Sequence, residues 1–367
     1  MDIPFEDYSR ENKFLLPVAI KQFREVFGLS NDDDQERFLN GFEARFAKFN
    51  FSEYAIAVNS GTTALELSLN ALGVKKGDEV ILPSYTYIAT GLSVMNLNAI
   101  PVFADIDKDT WTISPGSIRK NITSKTRAII AVHIHGNPCA MKDIMEISRK
   151  HRLPVIEDAS HAHGAEYDGI KVGNFGVGCF SCYTNKNFGC FGNAGLITVN
   201  NKLLYKAILG LIKVSNDPAG PLSHRTPCRM GLFEAAFLNA KLPFLGEINE
   251  KMVYLASLYK KKISAFFNVQ KSEKNAKNVY RDFVILTKDR VRLEVFLRKK
   301  GIIAKSRYRS PLHKMPYFRG FVNPAARLPV TDEVSEAALA LPIPLFLSGE
   351  EIDRICCTLR KFVSLHA

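Results

Sequence analysis

This 367-residue sequence predicts an α/β fold built on a mostly parallel central sheet with helices on both faces. Three observations carry that prediction. Strand-like and helix-like segments alternate from residue 55 to residue 158. The strands, such as Glu79-Val-Ile-Leu-Pro83 and Thr126-Arg-Ala-Ile-Ile-Ala-Val-His133, are almost continuously apolar. The helix after Ser60 carries an apolar stripe of Leu65, Leu69 and Leu72. Continuous apolar strands imply a sheet covered on both faces, as parallel sheets are. Ligands of such sheets bind beyond the carboxyl ends of the strands, so the residues just after each strand are the first candidates for chemistry.

The chain is long enough for two domains and a large core. Its longest apolar runs, such as Ala337 to Pro344, are too short to span a bilayer and are broken by proline. The start, Met-Asp-Ile-Pro-Phe-Glu-Asp, lacks a basic region followed by an apolar run, so no secretory signal is predicted. The seven cysteines are scattered and odd in number, which fits a reducing cytoplasm. The net charge of +12 favours anionic partners. The basic residues are spread along the chain without an arginine-rich arm or zinc-finger spacing, which argues against nucleic acid.

Residues 1–35 show no single period, and Asn31-Asp-Asp-Asp-Gln35 reads as a solvated acidic loop. Arg37 to Phe49 is predicted helical, with Phe38, Phe42, Phe46 and Phe49 on one face. Ala55 to Val58 suits a strand end. Ser60 then caps a helix striped by Leu65, Leu69 and Leu72 and stopped by Gly73. The Ser60-Gly-Thr-Thr63 turn presents free N–H groups and the positive end of a helix. That is a cradle for a phosphate, although a plain capped helix needs the same residues. Glu79 to Pro83 is a strand, Ser84 to Thr90 opens a helix, and Ala99 to Asp107 is a strand. Thr126 to His133 is a strand, Met141 to His151 a helix, and Leu153 to Asp158 a strand ending on two acids. Cys179 to Tyr183 is a short strand that runs into a polar loop bearing Lys186, followed by Gly189, Gly192 and Gly195. From Phe233 to Phe266 the pattern is helical with a break at Pro243. It leads to a smaller α/β lid with a strand at Tyr280 to Leu286 and helices at Arg290 to Lys300 and Gly349 to Phe362. The predicted division is a large domain of residues 1–245 and a small one of residues 246–367.

Most loop lysines are solvated charges. A lysine after a buried strand among small residues is also a candidate covalent catalyst, because a low-dielectric site lowers its pKa and frees its amine for Schiff-base chemistry. Asp158, at the end of its own strand, is a helix cap, a loop acid or a site carboxylate. Taken with the Ser60–Thr63 turn, Lys186 and Asp158 suggest pyridoxal 5'-phosphate. Its aldehyde needs a lysine, its ring nitrogen a carboxylate, its phosphate N–H and hydroxyl donors, and its ring an aromatic face. Cys179 and Cys182, three apart on a strand, face opposite sides and are not expected to share a metal or a disulfide. His133-Ile-His135 and His161-Ala-His163 read as active-site lining, and no metal site is predicted. Arg298, Lys299, Lys300, Lys305, Arg307 and Arg309 form a basic lid cluster, either a solvated face or a contact for a substrate diphosphate.

Several segments, in order, resemble the DegT/StrS-type sugar-nucleotide aminotransferases, which are fold type I PLP enzymes. Ala57-Val-Asn-Ser-Gly-Thr-Thr-Ala-Leu65 resembles the first phosphate-binding segment, with Gly61 and Thr62 on the phosphate. Leu82-Pro-Ser-Tyr-Thr-Tyr-Ile-Ala-Thr90 is similar to the segment supplying a ring-stacking aromatic, here Tyr87. Val155-Ile-Glu-Asp-Ala-Ser-His-Ala-His-Gly-Ala165 resembles the segment with the aspartate on the ring nitrogen, here Asp158, and with His161 beside the ring hydroxyl. Phe180-Ser-Cys-Tyr-Thr-Asn-Lys-Asn187 resembles the Schiff-base segment, with Ser181 on the phosphate and Lys186 covalent. Ser310-Pro-Leu-His313 and Leu341-Pro-Ile-Pro344 resemble lid landmarks.

The resemblance implies an amino-acid donor, glutamate or glutamine, and a keto-sugar nucleotide acceptor, in amino-sugar biosynthesis. It implies a homodimer with shared active sites, substrate roles for Arg307 and His313, and for Arg229 either the donor carboxylate or the interface. The sequence departs from the family in three places. Pro227 replaces an asparagine that reaches the partner's phosphate, a contact that is either lost or taken over by His224 or Arg225. Gly192-Asn-Ala-Gly195 lacks an acid. Arg309 replaces a proline. Other readings are a sugar dehydratase, against which Lys186 argues, an aminocyclitol aminotransferase, and a degenerate PLP-fold regulatory or scaffold protein.

Overall fold

The structure is a computed structural model that describes residues 2–213, 228–321 and 327–366. It opens with α1 (Tyr8–Phe27), where a mixed segment was expected, and α2 (Asp32–Asn50), which contains the helix expected over Arg37–Phe49 and extends it back through the expected acidic loop. The acidic run is the start of a helix. Asn31 caps α2 by accepting from Asp34 N at 2.9 Å, and Asp32, Asp33 and Asp34 fill the first turn. The positive helix end offsets the repulsion among these carboxylates.

Strand and helix then alternate through β1 (Tyr54–Val58), α3 (Gly61–Ala71), β2 (Glu79–Pro83), α4 (Ile88–Met95), β3 (Ile100–Ala104), α5 (Pro115–Asn121), β4 (Thr126–Val132), α6 (Met141–His151) and β5 (Val155–Asp158). A short hairpin, β6 (Glu166–Tyr167) and β7 (Ile170–Lys171), precedes β8 (Val177–Ser181) and β9 (Gly195–Val199). Seven strands form one sheet in the order β1-β9-β8-β5-β4-β2-β3. β9 is antiparallel to both of its neighbours, and the other ladders are parallel. The strands are buried on both faces. In β1, Ala55 and Ala57 face Phe42 and Phe46 of α2, while Ile56 and Val58 join Leu65, Leu67 and Leu69 of α3.

Next come α7 (Lys202–Ile212), α8 (Leu232–Lys241) and α9 (Leu245–Ile263). The break expected at Pro243 is a 3-10 turn, Leu242–Phe244. α1 packs along α8 and this turn, with Phe23 against Phe233 and Phe14 against Phe244. The remaining elements are β10 (Asn268–Val269), β11 (Ala276–Lys277), β12 (Phe283–Leu286), α10 (Arg290–Lys299), α11 (Pro329–Ala337), β13 (Ala338–Leu341) and α12 (Gly349–His366). Strands β10, β12 and β13 form an antiparallel sheet, and β11 joins β6 and β7.

The lid core gathers Leu255, Tyr259, Phe283, Leu297, Leu339 and Leu359, together with Ile3 from the start of the chain. Ile3 reaches it by a parallel bridge to Ile302. No helix among the described residues is long and apolar enough to cross a membrane.

Candidate active site

Lys186 sits on a loop that leaves the sheet at Cys182 and returns at Cys190. Cys190 N donates to Cys182 O at 2.9 Å and Lys186 N to Tyr183 O at 2.9 Å. The closure depends on Gly189, where a Cβ would lie 2.5 Å from Tyr183 O and 2.7 Å from Thr184 O. The loop delivers the lysine into a cleft of about 440 Å³, the size of a small-molecule site. Gly61, Thr62, Tyr87, Asp158, His161 and Ser181 line the same cleft. These residues, scattered over some 125 positions of sequence, meet because they all follow or flank the carboxyl ends of neighbouring strands.

Each has a local cause. Ser60 caps α3 by accepting from Thr63 N at 3.1 Å, and the first intrahelical bond runs from Ala64 N to Ser60 O at 3.0 Å. Gly61 and Thr62 therefore hold N–H groups of the first turn at the cleft. A Cβ on Gly61 would come 2.8 Å from Ser181 Cβ, so this glycine lets the turn and the end of β8 touch. The helix expected from Ser84 starts only at Ile88, and the extended residues before it leave Tyr87 62% exposed at the mouth. Alternation along β5 separates its two terminal acids. Glu157 turns away from the cleft and accepts from Gly173 N, Phe175 N and Gly176 N at 2.9, 2.8 and 2.9 Å. Asp158 faces the cleft, 6% exposed, accepting from Thr90 Oγ1 at 2.9 Å and Ser160 N at 3.2 Å.

Burial, and after it the charge of Arg281, pushes the Lys186 amine down to about 7, against the pull of Asp158 and Asp282. His161 is pushed well below the ordinary histidine range by burial and then by the Lys186 charge. Its Nδ1 accepts from His135 N at 3.2 Å, so Nε2 carries the proton, 3.3 Å from the Tyr308 hydroxyl. His135, His161 and Asp282 are brought within metal-binding reach of one another, which the pairs His133/His135 and His161/His163 did not foretell. Their atoms are hydrogen-bonded: His135 Nδ1 to Asp282 Oδ2 at 3.0 Å and Nε2 to the Tyr85 hydroxyl at 3.2 Å.

The three substrate candidates are placed differently. Arg307 lines the Lys186 cleft. His313 is clamped between the large domain and the lid, with Ser84 Oγ 2.7 Å from Nδ1 and Asp332 3.1 Å from Nε2. Arg229 pairs with buried Glu43 at 2.8 Å and lines a separate cleft beside Tyr205. Pro227, His224 and Arg225 lie outside the described residues. Thr90, Arg281, Asp282 and Tyr308 belong to the site and were not singled out from sequence. A charged pair opening an otherwise apolar strand, Tyr280-Arg-Asp-Phe283, was the available signal. Strand β12 begins only at Phe283. Tyr280 has φ +47°, and Asp282 is captured by His135 and two arginines.

The donor set fits pyridoxal 5'-phosphate. It provides a buried amine of lowered pKa, a carboxylate fixed by two donors, a helix N-terminus with a serine hydroxyl beside it, and an exposed aromatic at the rim.

Comparison with known proteins agrees. The family model "DegT/DnrJ/EryC1/StrS aminotransferase family" matches residues 24–360. The chain is 33% identical over 333 residues to a dTDP-3-amino-3,4,6-trideoxy-alpha-D-glucose transaminase of Streptomyces venezuelae, covering 88% of this chain and 86% of that one. It is 34% identical over 339 residues to a GDP-perosamine synthase of Escherichia coli O157:H7, covering 89% and 90%. The crystal structure of S. venezuelae DesV in complex with a ketimine intermediate superposes with a TM-score of 0.92 at 31% identity, covering 98% of each chain. With the fold, the cleft and the match over most of its length in agreement, the chain belongs to the DegT/DnrJ/EryC1/StrS aminotransferase family.

Proposed function

We propose that the protein moves an amino group from glutamate or glutamine to a keto-sugar carried on a nucleoside diphosphate, as a step of amino-sugar biosynthesis. The observation that carries this reading is the Lys186 amine, held at about 7, in one cleft with Asp158, Tyr87, His161 and the Gly61–Thr62 turn. The cofactor is pyridoxal 5'-phosphate. When bound, it supplies an aldehyde for covalent capture and a ring that takes up electrons from the reacting carbon.

The chain's own residues do the rest. Lys186 Nζ would hold the cofactor through its aldehyde, and the same amine, when free, would take the proton from the donor's amine-bearing carbon and return it. Asp158 would keep the ring nitrogen protonated. Gly61, Thr62 and Ser181 would hold the phosphate, Tyr87 would cover the ring, and His161 Nε2–H would donate to the ring hydroxyl. Arg307 contacts substrate. Arg229 pairs with Glu43 in a cleft of its own, away from Lys186, which favours its holding the dimer interface, and His313 acts by holding the lid.

The same proposal includes a homodimer working in the cytoplasm, with domains of residues 1–245 and 246–367. Exposed Tyr183, Phe191 and Phe233, at 48, 52 and 47%, offer apolar surface for the partner.

The test is the visible spectrum of the purified protein before and after L-glutamate or L-glutamine, without sugar. A yellow protein that bleaches with one donor, and whose band is absent in Lys186→Ala, supports the reading. Keto-sugar nucleotides on UDP, GDP and dTDP then identify the acceptor by restoring the band. A protein that stays colourless with added pyridoxal 5'-phosphate sinks it.

A further inference from the structure

The lid side of the Lys186 cleft holds more positive charge than its own carboxylates neutralise. Arg281 Nη1 and Arg307 Nη2 both donate to one oxygen of Asp282, at 2.9 and 3.0 Å. The other Asp282 oxygen is taken by His135 Nδ1 at 3.0 Å. Glu6 stands 3.7 Å from each guanidinium, beyond hydrogen-bond reach, with its second oxygen on Lys305 Nζ at 2.5 Å. Three cations against two carboxylates leave one positive charge unmatched. Arg281 is only 7% exposed, and Nε of both arginines has no hydrogen-bond partner among the described residues. Both arginines line the same cleft as Lys186, where guanidinium N–H groups not taken by Asp282 can meet an anionic ligand.

Building on the aminotransferase reading, we propose that Arg281 and Arg307 together bind the α-carboxylate of the amino-acid donor. In an α-amino acid the carboxylate is one bond from the carbon that bears the amine. When that amine reaches Lys186 Nζ, the carboxylate must lie close by, and Arg281 is near enough to Lys186 to depress its amine. Two planar guanidiniums held by a shared aspartate suit a carboxylate, which accepts two parallel N–H bonds. A sugar diphosphate is separated from the reacting carbonyl by ring atoms, so its charge falls farther from Lys186 Nζ than an α-carboxylate does. Asp282 is a positioning residue here, because it aims both arginines without touching the donor.

The experiment compares L-glutamate with its α-amide in holoenzyme, reading dissociation constants from equilibrium titration of the visible band. Arg281→Gln and Arg307→Gln are each expected to weaken L-glutamate by about 10- to 100-fold, as loss of a charge-assisted bond predicts, and to weaken the α-amide far less. Arg281→Lys should recover part of the loss, and a cofactor band of normal size certifies that each variant is folded. Equal losses for acid and amide, or a loss confined to the keto-sugar nucleotide, overturn the assignment. Wild-type protein that binds cofactor but responds to no amino acid overturns the aminotransferase reading itself. Wild-type response with unaltered variants overturns only the arginine pair.

Discussion

Burial holds the Lys186 amine at about 7, and that sets a pH dependence. Above this value the amine is mostly neutral and can attack an aldehyde, and below it the proton blocks attack. Uptake of pyridoxal 5'-phosphate by cofactor-free protein, followed by visible absorbance, should therefore rise between roughly pH 6 and roughly pH 8 and then level off. A rate still climbing near pH 10 would put this amine in the ordinary lysine range. A second prediction concerns Asp158, which must stay aimed at the ring nitrogen. Thr90→Val removes the hydroxyl that donates to Asp158 Oδ2 at 2.9 Å. At about 1.5–3 kcal/mol for a bond to a charged group, the cofactor's dissociation constant should rise by about 10- to 100-fold. Unchanged affinity would mean that Ser160 N alone orients the carboxylate.

The contact between α3 and β8 builds the end of the cleft proposed for the phosphate. Their backbones meet where Gly61 faces Ser181, and β9 closes on the same turn, since a Cβ on Gly195 would lie 2.4 Å from Ser60 C and O. Gly61→Ala should push the first turn of α3 off the strand, costing about 1–3 kcal/mol by overpacking. It should also weaken phosphate binding, read by thermal melting and by titration with pyridoxal 5'-phosphate. Ser60→Ala is the control: it removes a cap worth about 1 kcal/mol but adds no atoms at the contact. If Gly61→Ala matches wild type in both measurements, the helix and the strand have slack, and the glycine does not set their approach.

Across the whole molecule, the elements that follow α9 are tied to those of the seven-stranded sheet by polar contacts that no single element contains. Asp105, just after β3, accepts from Thr331 N at 2.8 Å, Thr331 Oγ1 at 2.7 Å and Val330 N at 3.2 Å, so it caps α11 of the lid from outside. His313 bridges Ser84 and Asp332 across the same boundary. Asp105→Ala is expected to speed hydrogen exchange over residues 329–337 while leaving exchange in β4 and β5 as it was. Uniform loss of protection would instead mean that Asp105 supports the large-domain core. The start of the chain adds another tie, since Ile3 packs in the lid core and Glu6 meets Lys305.

The sequence carried strands β1 to β5 and β8 and helices α3, α6, α8, α9, α10 and α12, though not β9, α5, α7 or α11, and it named Lys186, Asp158, Ser181, Tyr87, His161, Gly61 and Thr62, which line one cleft. It could do so because apolar runs, caps and glycines act over a few residues, and because the site's motifs are local segments. It misread Asn31 to Gln35, where charge suggested a loop while the cap and the helix end made those acids favourable. Which distant charges share an atom was settled by the fold. Arg281, Arg307, Glu6 and His135 converge around Asp282 from segments up to about 300 residues apart, and apart from the charged Arg281-Asp282 pair at the edge of an apolar stretch, nothing in their local patterns distinguishes them from solvated residues. The folded chain also parted the three substrate candidates, leaving Arg307 in the cleft, His313 in the lid joint and Arg229 with Glu43. A side chain's partner across the fold depends on the packing of whole domains, which no stretch of a few residues encodes.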